Sequence, residues 1–205
     1  MTAARIAPVL RVTLSAVLTL GAVGTGVAGC ALVPGSGPTG SGGADLTGAG
    51  TRRTFPDLDA AATTPRQRAL VRVVRAEYAA NRPGTTYAQG IEEPWCADFV
   101  SWVAKEAGAP LVNPHSGGWR IPGVFTMQEA LQQAGTWRSA SSGYQPKLGD
   151  IAVYAEPSPF GQHTNFVLAA KDGTLTTIGG NEPGGIRVSE HRLDRSLGLL
   201  GYGVR

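Results

Sequence analysis

The sequence predicts an α+β protein in which helices precede a multi-stranded antiparallel sheet. Three observations carry this. Apolar residues recur at helical spacing between residues 65 and 134, short β-rich runs replace them after Lys147, and turn signals of hairpin length separate those runs.

The first helix lies in "TTPRQRALVRVVRAEYAANRPG". Thr64 can cap it, Pro65 suits the first helical position, Leu70, Val74 and Tyr78 share one face, and Pro83 and Gly84 close it. A second helix begins near Trp95 or Cys96, carries Phe99, Val100, Val103 and Ala107 on one face, and stops at Gly108. A third, shorter helix is expected around Thr126 to Ala134. The runs "DIAVYA" (150–155), "TNFVLAA" (164–170), "TLTTI" (174–178), "GIRVSE" (185–190) and "GYGV" (201–204) then read as strands. Lys171-Asp172-Gly173 and Glu182-Pro183-Gly184-Gly185 are turns between them.

The N-terminus has a different character. "MTAARIAPVLRVTLSAVLTLGAVGTGVAGC" carries Arg5 and Arg11 followed by an apolar run, and the first acidic residue of the chain is Asp45. This is the pattern of an export signal. Its ending, Val27-Ala28-Gly29-Cys30, resembles the bacterial lipobox, which implies acylation of Cys30 and a lipid anchor on the extracytoplasmic face of the cell membrane. An uncleaved membrane span over Val12 to Gly29 is the alternative. Either way the folded part is tethered outside the cytoplasm, with secretion as the further alternative. Residues 31–54, rich in Gly, Ser, Pro and Thr, form a flexible linker, and residues 55–205 form one domain with a core of its own.

Charge and cysteine usage narrow the function. The chain has 18 basic and 15 acidic residues, and without Arg5 and Arg11 the two nearly balance. No basic stripe with interleaved aromatics is present, so nucleic acid is excluded as a partner. The absence of HExxH, paired CxxC and EF-hand patterns points to no metal and no cofactor. A monomer is expected. With Cys30 acylated or removed, Cys96 is a lone thiol in an exported protein, and intermolecular pairing, inert burial or catalysis must explain it.

A thiol at a helix N-terminus meets unpaired backbone N–H groups and the positive end of the helix dipole, which favour the thiolate and can hold an oxyanion. Cys96 stands at such a place. His163, at the start of a strand, is the best candidate base. Asn181, at the end of the next strand, comes beside it through antiparallel pairing as an orienting residue. This order, with the cysteine on a helix and the other two on the sheet, is the papain-like arrangement. Gln89, seven positions before Cys96, is the oxyanion candidate, with Tyr87 as its competitor; Tyr87, Trp95 and Trp119 are candidates for binding substrate. Asp98 reads as an acid stabilising the first helical turn, and His115 and His191 as loop and surface residues.

Over roughly residues 66–190 the sequence resembles the CHAP domains, the cysteine, histidine-dependent amidohydrolases and peptidases. The resemblance lies in "WCADFVSWVAKEAG", "LGDIAVY", "HTNFVLAA" and "IGGN". It implies cleavage of amide bonds in bacterial peptidoglycan, by an endopeptidase or by an amidase acting between sugar and peptide. Cys96 would be the nucleophile, His163 the base and Asn181 the orienting residue. Two features depart from the family. Many members have an acid two places before that asparagine, where this chain has Gly179, so a fourth catalytic group is absent or comes from Glu182 or another residue. Thr164 and Asn165 follow the histidine where a small pair is common. Gly179 favours the alternative of a wall-binding scaffold lipoprotein without turnover; an NlpC-type peptidase, with Asp-Cys-Ser at the nucleophile, fits less well.

Overall fold

The computed structural model describes residues 53–205; the signal segment, Cys30 and most of the linker lie outside the described residues. Three helices precede the whole of a six-stranded antiparallel sheet, as the sequence predicts.

Helix α1 spans Pro65–Ala80. Its start is a capping box: the Thr64 hydroxyl accepts from the Gln67 amide, and the Gln67 side chain accepts from the Thr64 amide, each at 3.1 Å. Asn81, in a left-handed conformation, ends it. Helix α2 spans Cys96–Glu106 and helix α3 spans Val124–Gln133, two residues earlier than expected. Phe99, Val100 and Val103 of α2 are buried in the main core with Val74, Met127, Ile151, Phe166 and Ile178. Helix α2 packs directly on the sheet.

The strands are β1 (Trp137–Ser139), β2 (Ile151–Tyr154), β3 (His163–Lys171), β4 (Thr174–Glu182), β5 (Gly185–Arg192) and β6 (Leu199–Gly203), ordered β1-β6-β2-β3-β4-β5. The three-residue edge strand β1 is the element the sequence did not announce; it pairs Trp137 with Gly203 and Ser139 with Gly201. Asp172 and Gly173, both at positive φ, make the two-residue hairpin turn between β3 and β4. A smaller cluster of Tyr154, Val167, Leu175, Leu197 and Tyr202 packs apart from the main core. Among the described residues, no helix is long and apolar enough to cross a membrane.

The end of β4 departs from regular pairing. Gly179 stands opposite Arg187 and Glu182 opposite Gly185, so Gly180 and Asn181 face the single residue Ile186. This is a β-bulge, and Asn181 takes a left-handed conformation with φ 59° to make it. Strict alternation would turn Asn181 to the face of Gly179. The bulge shifts the phase by one residue and gives that face to Glu182.

Candidate active site

Helix α2 begins at Cys96 without a side-chain cap, because Trp95 in the capping position offers no acceptor. Its first backbone N–H groups therefore have no intrahelical partner. Strand β4 has to run very close to this helix start. A Cβ at Gly180 would overlap the Trp95 ring and lie 2.8 Å from Phe99 Cβ, so glycine at 180 is what allows the approach.

Cys96 is a free thiol, 4% exposed, and His163 is 3% exposed. His163 opens β3 opposite Tyr154 of β2. Its Nε2 lies 3.4 Å from Glu182 Oε1, and Cys96 acts on the ring together with this carboxylate. With Nε2 turned to the carboxylate, Nδ1 is the ring nitrogen left for the sulfur. Burial lowers the His163 pKa, but the interactions with Cys96 and Glu182 outweigh it and raise the group to about 9. The imidazole therefore holds its proton at neutral pH. Phe160 covers the ring at a centroid distance of 5.1 Å, and Tyr154 stacks at 6.3 Å. Neither aromatic was anticipated from the sequence.

Asn181 does not meet His163. It is exposed, and no hydrogen bond joins the two among the described residues; it lines a rim depression with Gly84, Ile91, Glu92, Glu93 and Trp95. The bulge is the physical reason, and the side chain delivered to the imidazole is that of Glu182. A Cβ at Gly179 would lie 2.5 Å from Glu182 Oε1 and 3.1 Å from His163 Nε2, so the carboxylate occupies the space over that glycine.

Tyr87 is not available to substrate. It is fully buried, stacked on Trp95 at 5.3 Å and edge-on to Phe99 and Trp102. Its hydroxyl donates to the buried Glu77 carboxylate at 2.7 Å. Burial, then this acidic partner, holds the phenol well above its usual range. Replacing Tyr87 with Phe is expected to destabilise the fold by about 1–3 kcal/mol, because Glu77 loses a donor it cannot replace with water. A denaturant titration of Tyr87→Phe against the parent checks this; unchanged stability would remove the structural role.

Gln89 and Trp119 lie together in an open groove of about 440 Å³ with Asn113, Ser116, Arg120 and Pro122. Gln89 is exposed on a left-handed backbone, and the Lys105 ammonium sits 5.2 Å from the centre of the Trp119 ring. Trp95 is half-buried and divided between the aromatic cluster and the rim depression, so it supports the helix start as much as it lines a surface.

Asp98 has a larger part than stabilising a helical turn. It is fully buried, accepts from Arg120 Nε at 2.7 Å, and leaves Oδ2 without a partner. Arg120 also pairs with Glu93, so it ties the 113–123 segment to the base of α2. Burial raises the Asp98 pKa from 3.8 to about 6, against the lowering effect of Arg120. An acid that binds its proton more tightly folded than unfolded contributes stability below pH 4 that is lost as pH rises through about 6. This component should be absent from Asp98→Asn, so the stability difference between the variant and the parent should change across that interval; a constant difference would contradict it.

His191 is half-buried rather than a plain surface residue. Its ring meets Phe160 edge-on at 4.8 Å, its Nε2 is buried without a partner, and burial lowers its pKa. His115 is an exposed loop residue paired with Glu129 at 2.9 Å. Among the described residues, no three His, Cys, Asp or Glu side chains gather as a metal site.

The family model described as CHAP domain matches residues 86–181, a stretch that contains Cys96 and His163 and stops one residue before Glu182. Among solved structures, the chain is similar to "The crystal structure of Ly7917" at 18% identity, covering 69% of this chain and 62% of that one, with a TM-score of 0.45. A second structure, of Ly7917 "with the hydrolyzing product of MDP", matches at 17% identity over 66% and 61%, with a TM-score of 0.41. The "X-ray Crystal Structure of PlyC" matches at 18% identity over 65% and 36%, with a TM-score of 0.36. The chain thus spans about three fifths of the length of the Ly7917 chains and about a third of the PlyC chain. No curated protein matches it.

Proposed function

We propose, from the match of residues 86–181 to the CHAP domain family model, that this chain is an exported cysteine hydrolase of amide bonds in bacterial peptidoglycan. The observation that carries the reading is the buried His163 imidazole, with the Glu182 carboxylate 3.4 Å from its Nε2 and its pKa raised to about 9 by Cys96 and Glu182. A lone thiol buried only for packing has no need of a charged partner of this kind.

In the proposed reaction the Cys96 thiolate attacks the amide carbonyl. The oxyanion is held by the unpaired N–H groups at the start of α2, with the exposed Gln89 amide as a second donor. Collapse expels the amine, which takes the proton from His163 and leaves a thioester on Cys96. Water, deprotonated by the now neutral imidazole, hydrolyses the thioester to the acid and regenerates the thiolate–imidazolium pair. The groove at Gln89 and Trp119 is assigned to one side of the scissile bond and the rim depression at Trp95 and Asn181 to the other.

Acylation of Cys30, with residues 31–54 as the tether and 55–205 as the working domain, would confine the activity to wall close to the membrane. Gly179 no longer favours a scaffold without turnover, because Glu182 brings a carboxylate to the space that glycine leaves. The reading is tested by following release of soluble fragments from purified peptidoglycan. Release by the parent protein and none after alkylation of Cys96 is expected; equal release by the alkylated protein would refute it.

A further inference from the structure

The Glu182 carboxylate is held from two sides. Oε1 meets His163 Nε2 at 3.4 Å, while Oε2 accepts from the Ser189 hydroxyl at 2.7 Å. Ser189 lies on β5, paired with Thr177 of β4, and so approaches the carboxylate from the strand beyond the bulge. The third boundary is Gly179, whose missing side chain leaves the space that Oε1 fills. A glutamate side chain has several freely rotating bonds, and aiming one oxygen at an imidazole costs entropy unless the other oxygen is already fixed.

We propose that Ser189 is a positioning residue: its hydroxyl, with the space over Gly179, fixes the Glu182 carboxylate against His163 Nε2 and so turns Nδ1 toward Cys96. This rests on the assignment of Cys96 and His163 as the reacting pair. The titratable groups around the carboxylate are Tyr154 on β2, His163 on β3 and His191 on β5, and Cys96 on α2 acts on the His163 ring. His191 is the one group besides His163 whose titration could be mistaken for the effect, so the measurement must resolve the two rings.

Labelling the histidines with ¹³C and following each ring proton by NMR across pH 5–11 does so, since the chain has 3 histidines and single substitutions assign them. In Ser189→Ala the His163 midpoint should fall by roughly half to one pH unit, because a freed carboxylate no longer favours the imidazolium. Ser189→Val should do the same while suiting a strand, and Ser189→Thr should keep the parental midpoint. An unmoved midpoint in folded Ser189→Ala or Ser189→Val, or a lowered one in Ser189→Thr, would overturn the proposal. None of these readings needs a substrate. A parent protein that left peptidoglycan intact would therefore refute the hydrolase reading and leave the role of Ser189 to be decided by the midpoints.

Discussion

Cys96→Ala is expected to reduce release of peptidoglycan fragments by at least about 10⁴-fold, the scale on which removal of a covalent nucleophile acts when the rest of the site persists. The substitution is mild structurally. Cys96 is a small buried side chain at a helix start, its neighbours Ala97 and Val100 are apolar, and alanine favours the helix. The folded variant should retain the groove at Gln89 and Trp119 and bind wall fragments while failing to cleave them. Activity within tenfold of the parent, in a preparation free of other hydrolases, would place the nucleophile elsewhere.

The second large effect separates two neighbouring residues. Glu182→Gln keeps the size and one acceptor of the side chain but removes the charge beside His163, and should lower kcat/KM by roughly 10²- to 10⁴-fold. It should also move the pH profile. The His163 imidazolium must donate to the departing amine, so activity in the parent falls as pH rises through about 9. Without the carboxylate that alkaline limb should move toward lower pH, because one of the interactions that raise the group is gone. The contribution of this charge to folding has the same sign: it is complete below the ordinary pKa of 6.5 and is lost as pH rises through about 9.

Asn181→Gly supplies the contrast. Glycine accepts the left-handed backbone that the bulge needs, so the variant deletes the side chain and preserves the register. It should leave kcat within about threefold of the parent, any loss falling on KM, as for an exposed residue that lines the rim depression without a bond to His163. A strong effect of Asn181→Gly with a weak effect of Glu182→Gln would restore Asn181 as the orienting residue and contradict the geometry described above.

Much of this was legible in the sequence where local chemistry decides the structure. The cap at Thr64, the glycine and proline punctuation of the helices, and the hairpin turn at Asp172-Gly173 act through neighbouring residues, and each emerged in place. The expected meeting of Asn181 with His163 is absent from the geometry for a definite reason. Counting in twos along "IGGNEP" assumes a regular strand, and the bulge inserts one residue. A signal was present: two glycines followed by asparagine, the residue other than glycine most tolerant of positive φ, next to a Pro-Gly turn. Side-chain contacts set by packing gave no such signal. Asp98 with Arg120, Tyr87 with Glu77, and Glu182 with Ser189 are each fixed by how the elements pack. The edge strand β1 was too short and too exposed to carry a pattern.

The central claim is that a Cys96–His163 pair, oriented by Glu182, cleaves an amide bond of peptidoglycan. Mass spectrometry of the products formed by the purified protein, with Cys96→Ala in parallel, tests it most directly. The account predicts new amine and carboxyl termini at one type of amide bond, absent with the variant, and their masses identify the bond. Intact peptidoglycan with the parent, or the same new termini with Cys96→Ala, would contradict it.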